Sequence, residues 1–395
     1  MTPETNRSTT SLTPRSLTPT SRTPGLTWLR GDLHNHCEKP ELFKEHLAGG
    51  VERLDFAALT NHAQKPVFFT QHEMIERGRQ RYPDFPLFFG LEWNAAGGRH
   101  ANVVFPHSSE EAAHAYALSR AHDRHVEGSD PDITRALQQL SQIDPAPVLF
   151  FNHPEPGDWS TQVLDQYLDP RHSVRIAIGL EAVHGHQAQP RGVRFDHDQY
   201  PGCAVGGLAD HVYEKGLPLA LLANSDFHVH KQAKEYDYPL GVFNHTRVGV
   251  AAAGSPDSND ILDAIRAGRT CACQGHWLDL IDFSISASGS PGSALIGDTW
   301  SCGAASRLTI SLQATEALQS VDLIGRLSVE DTTSVVRQFG PQPVGPTNLI
   351  FEVPPAASGH LRLRVISRSH ERPAPGQTAA KAFFTSAILL NSLTV

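Results

Sequence analysis

Trp28-Leu29-Arg30-Gly31-Asp32-Leu33-His34-Asn35-His36 reads as a short apolar strand that ends in two histidines. The same design returns along the chain. Leu54–Thr60 runs into Asn61-His62, Leu87–Glu92 ends in Gly90-Leu91-Glu92, and Gly98-Arg99-His100 leads into Ala101–Phe105. Val148–Asn152 delivers His153-Pro154, Arg175–Val183 is a further apolar run, and Leu219–Ala223 runs into Asn224-Ser225-Asp226-Phe227-His228. Helical spacing fills the intervals at Glu41–Ala48, Phe69–Arg81, Glu110–Ala121, Pro131–Ile143, Ala204–Lys215 and Asn259–Ala267. Strand–helix alternation predicts βαβ units, hence an α/β fold with a mostly parallel sheet or barrel. In such folds the ends of the strands are where sites are built.

The pattern changes near Trp277. Leu280–Ala287, Arg307–Thr315, Val321–Leu327, Asn348–Val353, Leu361–Ser367 and Phe383–Val395 alternate in polarity, and Gly, Pro and Ser separate them. They predict a small all-β sandwich over 277–395. Residues 1–27 are rich in Thr, Ser and Pro, with Ser-x-Thr-Pro starting at Ser11, Ser16 and Ser21. Repeated X-Pro steps block helix, so a disordered tail is expected there. The α/β region then occupies 28–276.

Composition excludes several classes. The chain has 395 residues, 39% of them apolar and 19% charged, which is globular and not disordered overall. No apolar run approaches the length of a membrane span, so no membrane partner is expected. Lys and Arg number 33 against 42 Asp and Glu, a net charge of −9, which disfavours nucleic acid as a partner. Five cysteines (Cys37, Cys203, Cys271, Cys273, Cys302) lack zinc-motif spacing and read as free thiols. With no apolar leader in view, a cytoplasmic location is the expectation.

Histidine is the abnormal number. There are 22, and all but His360 and His370 lie between His34 and His276. Alternate residues of an extended segment share a face, so His34 pairs with His36, and Asp226 with His228. Imidazole mixed with carboxylate suits Zn²⁺, Mn²⁺ or Fe²⁺ better than Ca²⁺ or Mg²⁺ alone. A carboxylate such as Glu92 can bridge two cations.

Taken in order, Asp-Leu-His-Asn-His, Leu-Thr-Asn-His, Gly-Leu-Glu, Asn-His-Pro and Asn-Ser-Asp-Phe-His resemble the successive motifs of the PHP (polymerase and histidinol phosphatase) superfamily of metal-dependent hydrolases. The resemblance spans Trp28 to His276. Glu92-Trp93, the Gly97-to-Asn102 stretch and the β-rich end look most like the carbaryl-hydrolase-type branch. The resemblance implies a distorted (β/α)7 barrel holding two to three divalent ions (Zn, Mn or Fe). The first ion would take His34, His36, Glu92 and Asp226; the second, Glu92, His100 and His153. The third would take His62, His228 and a residue of the loop after His36, with Glu38 chosen ahead of Glu41 and His46. Here Asn61 stands where the superfamily usually has Asp, and Asn102 holds the position usual for the ligand assigned to His100.

The implied chemistry is hydrolysis by a metal-bridging hydroxide. His228, His62 or His184 would protonate the leaving group, and Arg99 and Lys231 would bind an anionic small-molecule substrate. A phosphoesterase is the leading expectation. A carboxylic-ester or carbamate hydrolase is the alternative, and a non-catalytic metal-binding scaffold the second. Glu181 reads as a scaffold residue. A sandwich such as 277–395 can shape a pocket, build a homo-oligomer or hold carbohydrate, and its residues select none of these.

Overall fold

The computed structural model describes residues 25–154, 159–168, 176–183, 185, 200–228, 239–251, 256–287, 292–371 and 379–392. The expected tail thus lies almost wholly outside them. Leu26, assigned to that tail by composition, is nevertheless buried in a core.

The first half of the chain alternates. β1 (Thr27–Asp32) and the two-residue β2 (Asn35–His36) precede α1 (Phe43–Val51), β3 (Phe56–Leu59), α2 (Gln71–Arg81), β4 (Leu87–Asn94) and β5 (His100–Val104). Then come α3 (Glu111–His122), α4 (Arg124–Glu127), α5 (Ile133–Leu140), β6 (Val148–Phe151), α6 (Thr161–Tyr167) and β7 (Ala177–Val183). α7 (Leu208–Glu214), β8 (Ala220–Ala223), β9 (Phe227–His228), β10 (Asn244–Val250), α8 (Ser258–Arg266) and β11 (Thr270–Gln274) complete the half. From there the chain is all strand: β12 (Leu278–Ala287), β13 (Ser293–Leu295), β14 (Thr299–Ser301), β15 (Ser306–Ala314), β16 (Leu318–Arg326), β17 (Ser334–Gln338), β18 (Gly345–Val353), β19 (Gly359–Glu371), β20 (Ala379–Thr385) and β21 (Ile388–Asn391).

The sheet is mixed rather than mostly parallel. β1, β3 and β4 are parallel, as are β6, β7 and β8, but β5 lies antiparallel between β4 and β6, and β10 antiparallel beside β1. β4 and β5 are joined by a short hairpin, so no crossover helix reverses the direction. The sheet curls until β8 meets β10. There Thr246 Oγ1 accepts the Ala223 N–H at 3.0 Å and lies 3.1 Å from the Ala223 carbonyl oxygen. Inside this curve Leu29, Phe56, Phe88, Phe150 and Val248 pack on Ile261, Leu262 and Ile265 of α8, whose start is a capping box of Asp257 and Asp260.

The β-rich half is joined to the first by backbone hydrogen bonds. β11 pairs with β20, and through it one hydrogen-bonded sheet runs from β8 to β14. β13, β12, β15 and β18 form a second sheet that closes a core with Leu308, Ile310, Val321, Leu323 and Leu363. β15 buries alternate residues, as the sequence pattern requires. Across the join, the buried Asp210 of α7 accepts from Arg362 Nε at 2.6 Å and Nη2 at 2.8 Å, and from His360 Nε2 at 3.2 Å. Burial opposes ionisation of Asp210, but Arg362 and His360 outweigh it and hold the carboxyl well below its usual range. Among the described residues no helix is long and apolar enough to cross a membrane.

Candidate metal centre

β1 stops at Asp32 because the chain there turns out of the ladder. Asp32 Oδ1 accepts the His34 N–H and Oδ2 the Ser225 N–H, both at 3.1 Å. Asn224 Oδ1 accepts the Leu33 N–H at 2.9 Å, and the Asp226 N–H donates to the His34 carbonyl at 2.8 Å. These bonds stitch two distant segments into the short parallel pair β2–β9, with His36 opposite His228. Full burial pushes the Asp32 carboxyl up to about 7. A neighbouring clamp is Gln71, whose amide donates to the carbonyls of Leu59 and Gly90 and accepts from the Asn61 N–H. It joins the ends of β3 and β4, which carry His62 and Glu92.

Two of the converging residues sit on unusual backbone. His153 has φ 26° and Asp226 φ 49°, both in the left-handed region that non-glycine residues seldom adopt. Strain of this kind persists where surrounding bonds over-determine it. The His153 N–H donates to Glu181 Oε2 at 2.7 Å.

Glu92 is the centre. Its Oε1 lies 3.2 Å from His34 Nε2, 3.0 Å from His100 Nδ1 and 3.4 Å from His153 Nε2. Its Oε2 lies 3.1 Å from His36 Nε2 and 3.0 Å from His62 Nε2. Asp226 Oδ1 stands 3.2 Å from His34 Nε2 and 3.3 Å from His36 Nε2. Donor atoms fall into three groups, each within 4.8 Å: His34, His36, Glu92 and Asp226; His62, Glu92 and His100; His36, His62 and His228. Ligands about 2.1 Å from one cation stand about 3.0 Å apart in an octahedron and about 3.4 Å in a tetrahedron, which matches this spacing.

The chemistry of these atoms agrees. His34 Nε2, both ring nitrogens of His36 and Glu92 Oε2 are buried and make no aligned hydrogen bond among the described residues. Leaving buried polar atoms so costs stability unless something else satisfies them. Burial opposes charge on His34 and His36, yet Asp226 and Glu92 overcome it and raise both pKa values. For Glu92, burial is likewise overcome, by His62, His34 and His100, and its carboxyl is held well below the usual range. Burial holds the His62 imidazole below its usual range instead. The two buried carboxylates thus favour positive charge beside them, as at a cation site.

The structure brings His34, His36, His62, Glu92, His100, His153, Asp226 and His228 together, with three differences in grouping. His62 falls with Glu92 and His100, His36 joins His62 and His228, and His153 approaches Glu92 without entering a group. Glu38 is not among them: its carboxylate pairs with Lys65 at 3.1 Å, because the short loop after His36 turns it outward. His46 is half-buried and donates to Asn35 Oδ1 at 2.9 Å. Arg99 lies at the rim, bonded to the Ala96 carbonyl with its guanidinium over Trp159. His184 and Lys231 lie outside the described residues. Asn102 donates to the Leu33 carbonyl and accepts from Asn152, which in turn donates to Glu92 Oε1.

Sequence reasoning undervalued Glu181. Fully buried, its Oε1 accepts from His34 Nδ1 and Asn224 Nδ2, each at 3.0 Å. A glutamate ending a strand among histidine-bearing strands was the available signal.

No protein-family model matches the chain, and no curated protein matches it in sequence. Among solved structures, one titled as the crystal structure of the C-terminal domain of wzt is 12% identical over 30% of this chain and 74% of that one, with a TM-score of 0.20. A likeness at that level bears on neither fold nor function.

Proposed function

We propose that this chain is a metal-dependent hydrolase of the PHP type, a phosphoesterase acting on small anionic substrates, and that its α/β region is the distorted (β/α)7 barrel of that superfamily. One observation carries this: five imidazoles from four separate segments approach Glu92 within 3.4 Å. His34, His36, Glu92 and Asp226 would hold one cation; His62, Glu92 and His100 a second, with His153 beside it; His36, His62 and His228 a third. Divalent cations bound there supply Lewis acidity, acidifying water and polarising a phosphoryl or carbonyl group.

The chain's own residues do the rest. Glu181 fixes the His34 ring, and Asn152 fixes Glu92. His228, 9% exposed, would pass a proton to a leaving group when no third cation occupies it. The ring of His228 is held by its Nδ1–H, which donates to the Asp226 carbonyl at 3.0 Å. Arg99 at the rim would bind the substrate's anionic group.

Elemental analysis of the purified protein, paired with a substrate panel before and after chelation, tests this. Two to three equivalents of Zn, Mn or Fe are expected, with p-nitrophenyl phosphate turnover lost on chelation and restored by metal. Turnover of p-nitrophenyl acetate or an aryl carbamate alone replaces the phosphoesterase with the ester or carbamate hydrolase. Bound metal with no turnover leaves a metal-binding scaffold.

A further inference from the structure

In the β-rich half, β13, β14, β17 and β18 each keep one edge unpaired among the described residues. Sheets guard such edges with short strands, charges or bulges. β13 and β14 are three residues each. β17 has five, carries Arg337 and breaks register beside Val336, since Leu323 faces Arg337 but Ile324 faces Val335. β18 is the exception. It runs nine residues along β15, from Gly345 to Val353, with no break in register. Its one charge, Glu352, is taken by Arg307 of β15 at 3.2 Å.

Thr347 and Val353 of β18 face inward and are buried, while Asn348, Ile350 and Glu352 stand on the outer face, Ile350 55% exposed. Leu349 and Phe351 also face inward and pack on the core of the β-rich half, yet stay half-buried at this edge. An edge of backbone donors and acceptors flanked by such side chains is what another strand pairs with. The sequence shows which strand fits. Pro346-Thr347-Asn348-Leu349-Ile350-Phe351-Glu352-Val353-Pro354 reads with nearly the same chemistry from either end. A twofold axis at Ile350 in an antiparallel pair sets Ile350 against the partner's Ile350, Leu349 against the partner's Phe351, and Asn348 against the partner's Glu352. Pro346 then meets the partner's Pro354, so both strands run out of N–H donors together at each end. Asn348 Oδ1 already accepts from Ser311 Oγ at 2.7 Å, which leaves the amide NH₂ to donate to the partner's Glu352. The two Glu352 carboxylates sit four residues apart along the ladder, about 14 Å, so they do not oppose each other. A slip of two residues either way sets Ile350 against a polar side chain and a proline inside the ladder.

We propose that β18 is the interface between two copies of this chain, joined edge to edge about a twofold axis at Ile350. The four-stranded sheet of each copy becomes half of one eight-stranded sheet. The surface is self-complementary, as a contact of one patch with itself requires. Leu349 and Phe351 of each copy cover the exposed flanks of the other. The contact is mainly one ladder and smaller than a standard interface, so a dissociation constant on the order of micromolar is expected. It needs neither metal nor substrate.

Sedimentation velocity of the full chain from about 1 to about 100 µM tests this, with cross-linking to read the register. A monomer–dimer equilibrium is expected. Ile350→Lys sets like charges opposite each other on the outer face and is expected to weaken the dimer at least about tenfold, with a native circular dichroism spectrum. All five cysteines of the chain are buried, so an introduced surface cysteine reports alone. Ile350→Cys is expected to cross-link to its own copy on mild oxidation, because Cβ atoms directly opposite are about 5 Å apart. Asn348→Cys, about 14 Å from its own copy, is expected to cross-link only when mixed with Glu352→Cys. A monomer at every concentration overturns the proposal. So does a dimer that Ile350→Lys leaves unchanged, or Asn348→Cys linking to itself as readily as Ile350→Cys.

Discussion

Glu181 Oε1 stands 3.0 Å from His34 Nδ1, while the other nitrogen of the same ring points at Glu92 and Asp226. A carboxylate accepts only, so Nδ1 keeps its hydrogen and Nε2 is the nitrogen left to a cation at the centre. A histidine ligand oriented by a carboxylate in this way is also made more basic. Glu181 does this while accepting from the His153 backbone and Asn224, so one side chain fixes three of the segments that build the site.

Glu181→Ala is therefore expected to lower metal affinity by about 10–100-fold, whereas Glu181→Gln, which still offers an acceptor to His34 Nδ1, loses less. Competition against a chromophoric chelator measures both. Equal metal affinity in the wild type and Glu181→Ala would reduce the residue to a packing role.

Asp226→Ala removes the carboxylate shared by His34 and His36. Metal content is expected to fall by at least one equivalent, and hydrolysis by at least about 100-fold, the scale on which displaced catalytic geometry costs rate. Elemental analysis and initial rates check these, and a native circular dichroism spectrum shows that the fold survives.

Metal affinity should rise with pH. Although burial opposes it, Asp226 and Glu92 keep His34 and His36 protonated above the usual imidazole range, and Glu92 does the same for His153, raised to about 9. Cations entering must displace those protons. Apparent affinity measured from about pH 6 to pH 9 should climb, with proton release visible as a buffer-dependent heat of binding.

Arg362→Met leaves the Asp210 carboxylate buried beside His360 alone. The expected loss is about 3–5 kcal/mol, read from the denaturant midpoint. The pair also makes stability sensitive to acid. The folded carboxyl titrates well below its unfolded value of 3.8, so its contribution is complete above about pH 5 and disappears as pH falls through the folded value. Asp210→Asn should flatten that acid slope.

Ser386→Ala deprives the Leu221 N–H of its acceptor, 2.9 Å away and 165 residues on in sequence. A buried donor left so costs about 1–3 kcal/mol. Thermal unfolding followed at the metal centre and in the β-rich half should shift together, because β20 belongs to the sheet that β8 closes.

Much of the layout was legible beforehand. The apolar runs at Leu54–Thr60, Leu87–Glu92 and Val148–Asn152 match strands within a few residues, because a buried strand is short, apolar and bounded by polar ends. β10 and β11 were not legible. Asn244-His245-Thr246-Arg247 and Thr270-Cys271-Ala272-Cys273 look polar or nondescript. They are strands because each pairs on both edges, β10 with β1 and β11, and β11 with β10 and β20. The helix α6 was missed as well, being short and weakly patterned, though Ser160 caps it.

What the sequence determined by itself was an inventory with an order: imidazoles and carboxylates placed one after another at the ends of apolar runs, since the period of a strand sets which residues leave it together. What only the tertiary structure decided was which atoms meet. Whether His100 or Asn102 reaches Glu92, whether Glu38 turns to the centre or to Lys65, and whether Glu181 is scaffold or the residue that orients a ligand all depend on loop paths and on hydrogen bonds such as those of Asp32 to His34 and Ser225. These span up to about 190 residues, and a local pattern carries no information about so distant a partner until folding brings it within 3 Å.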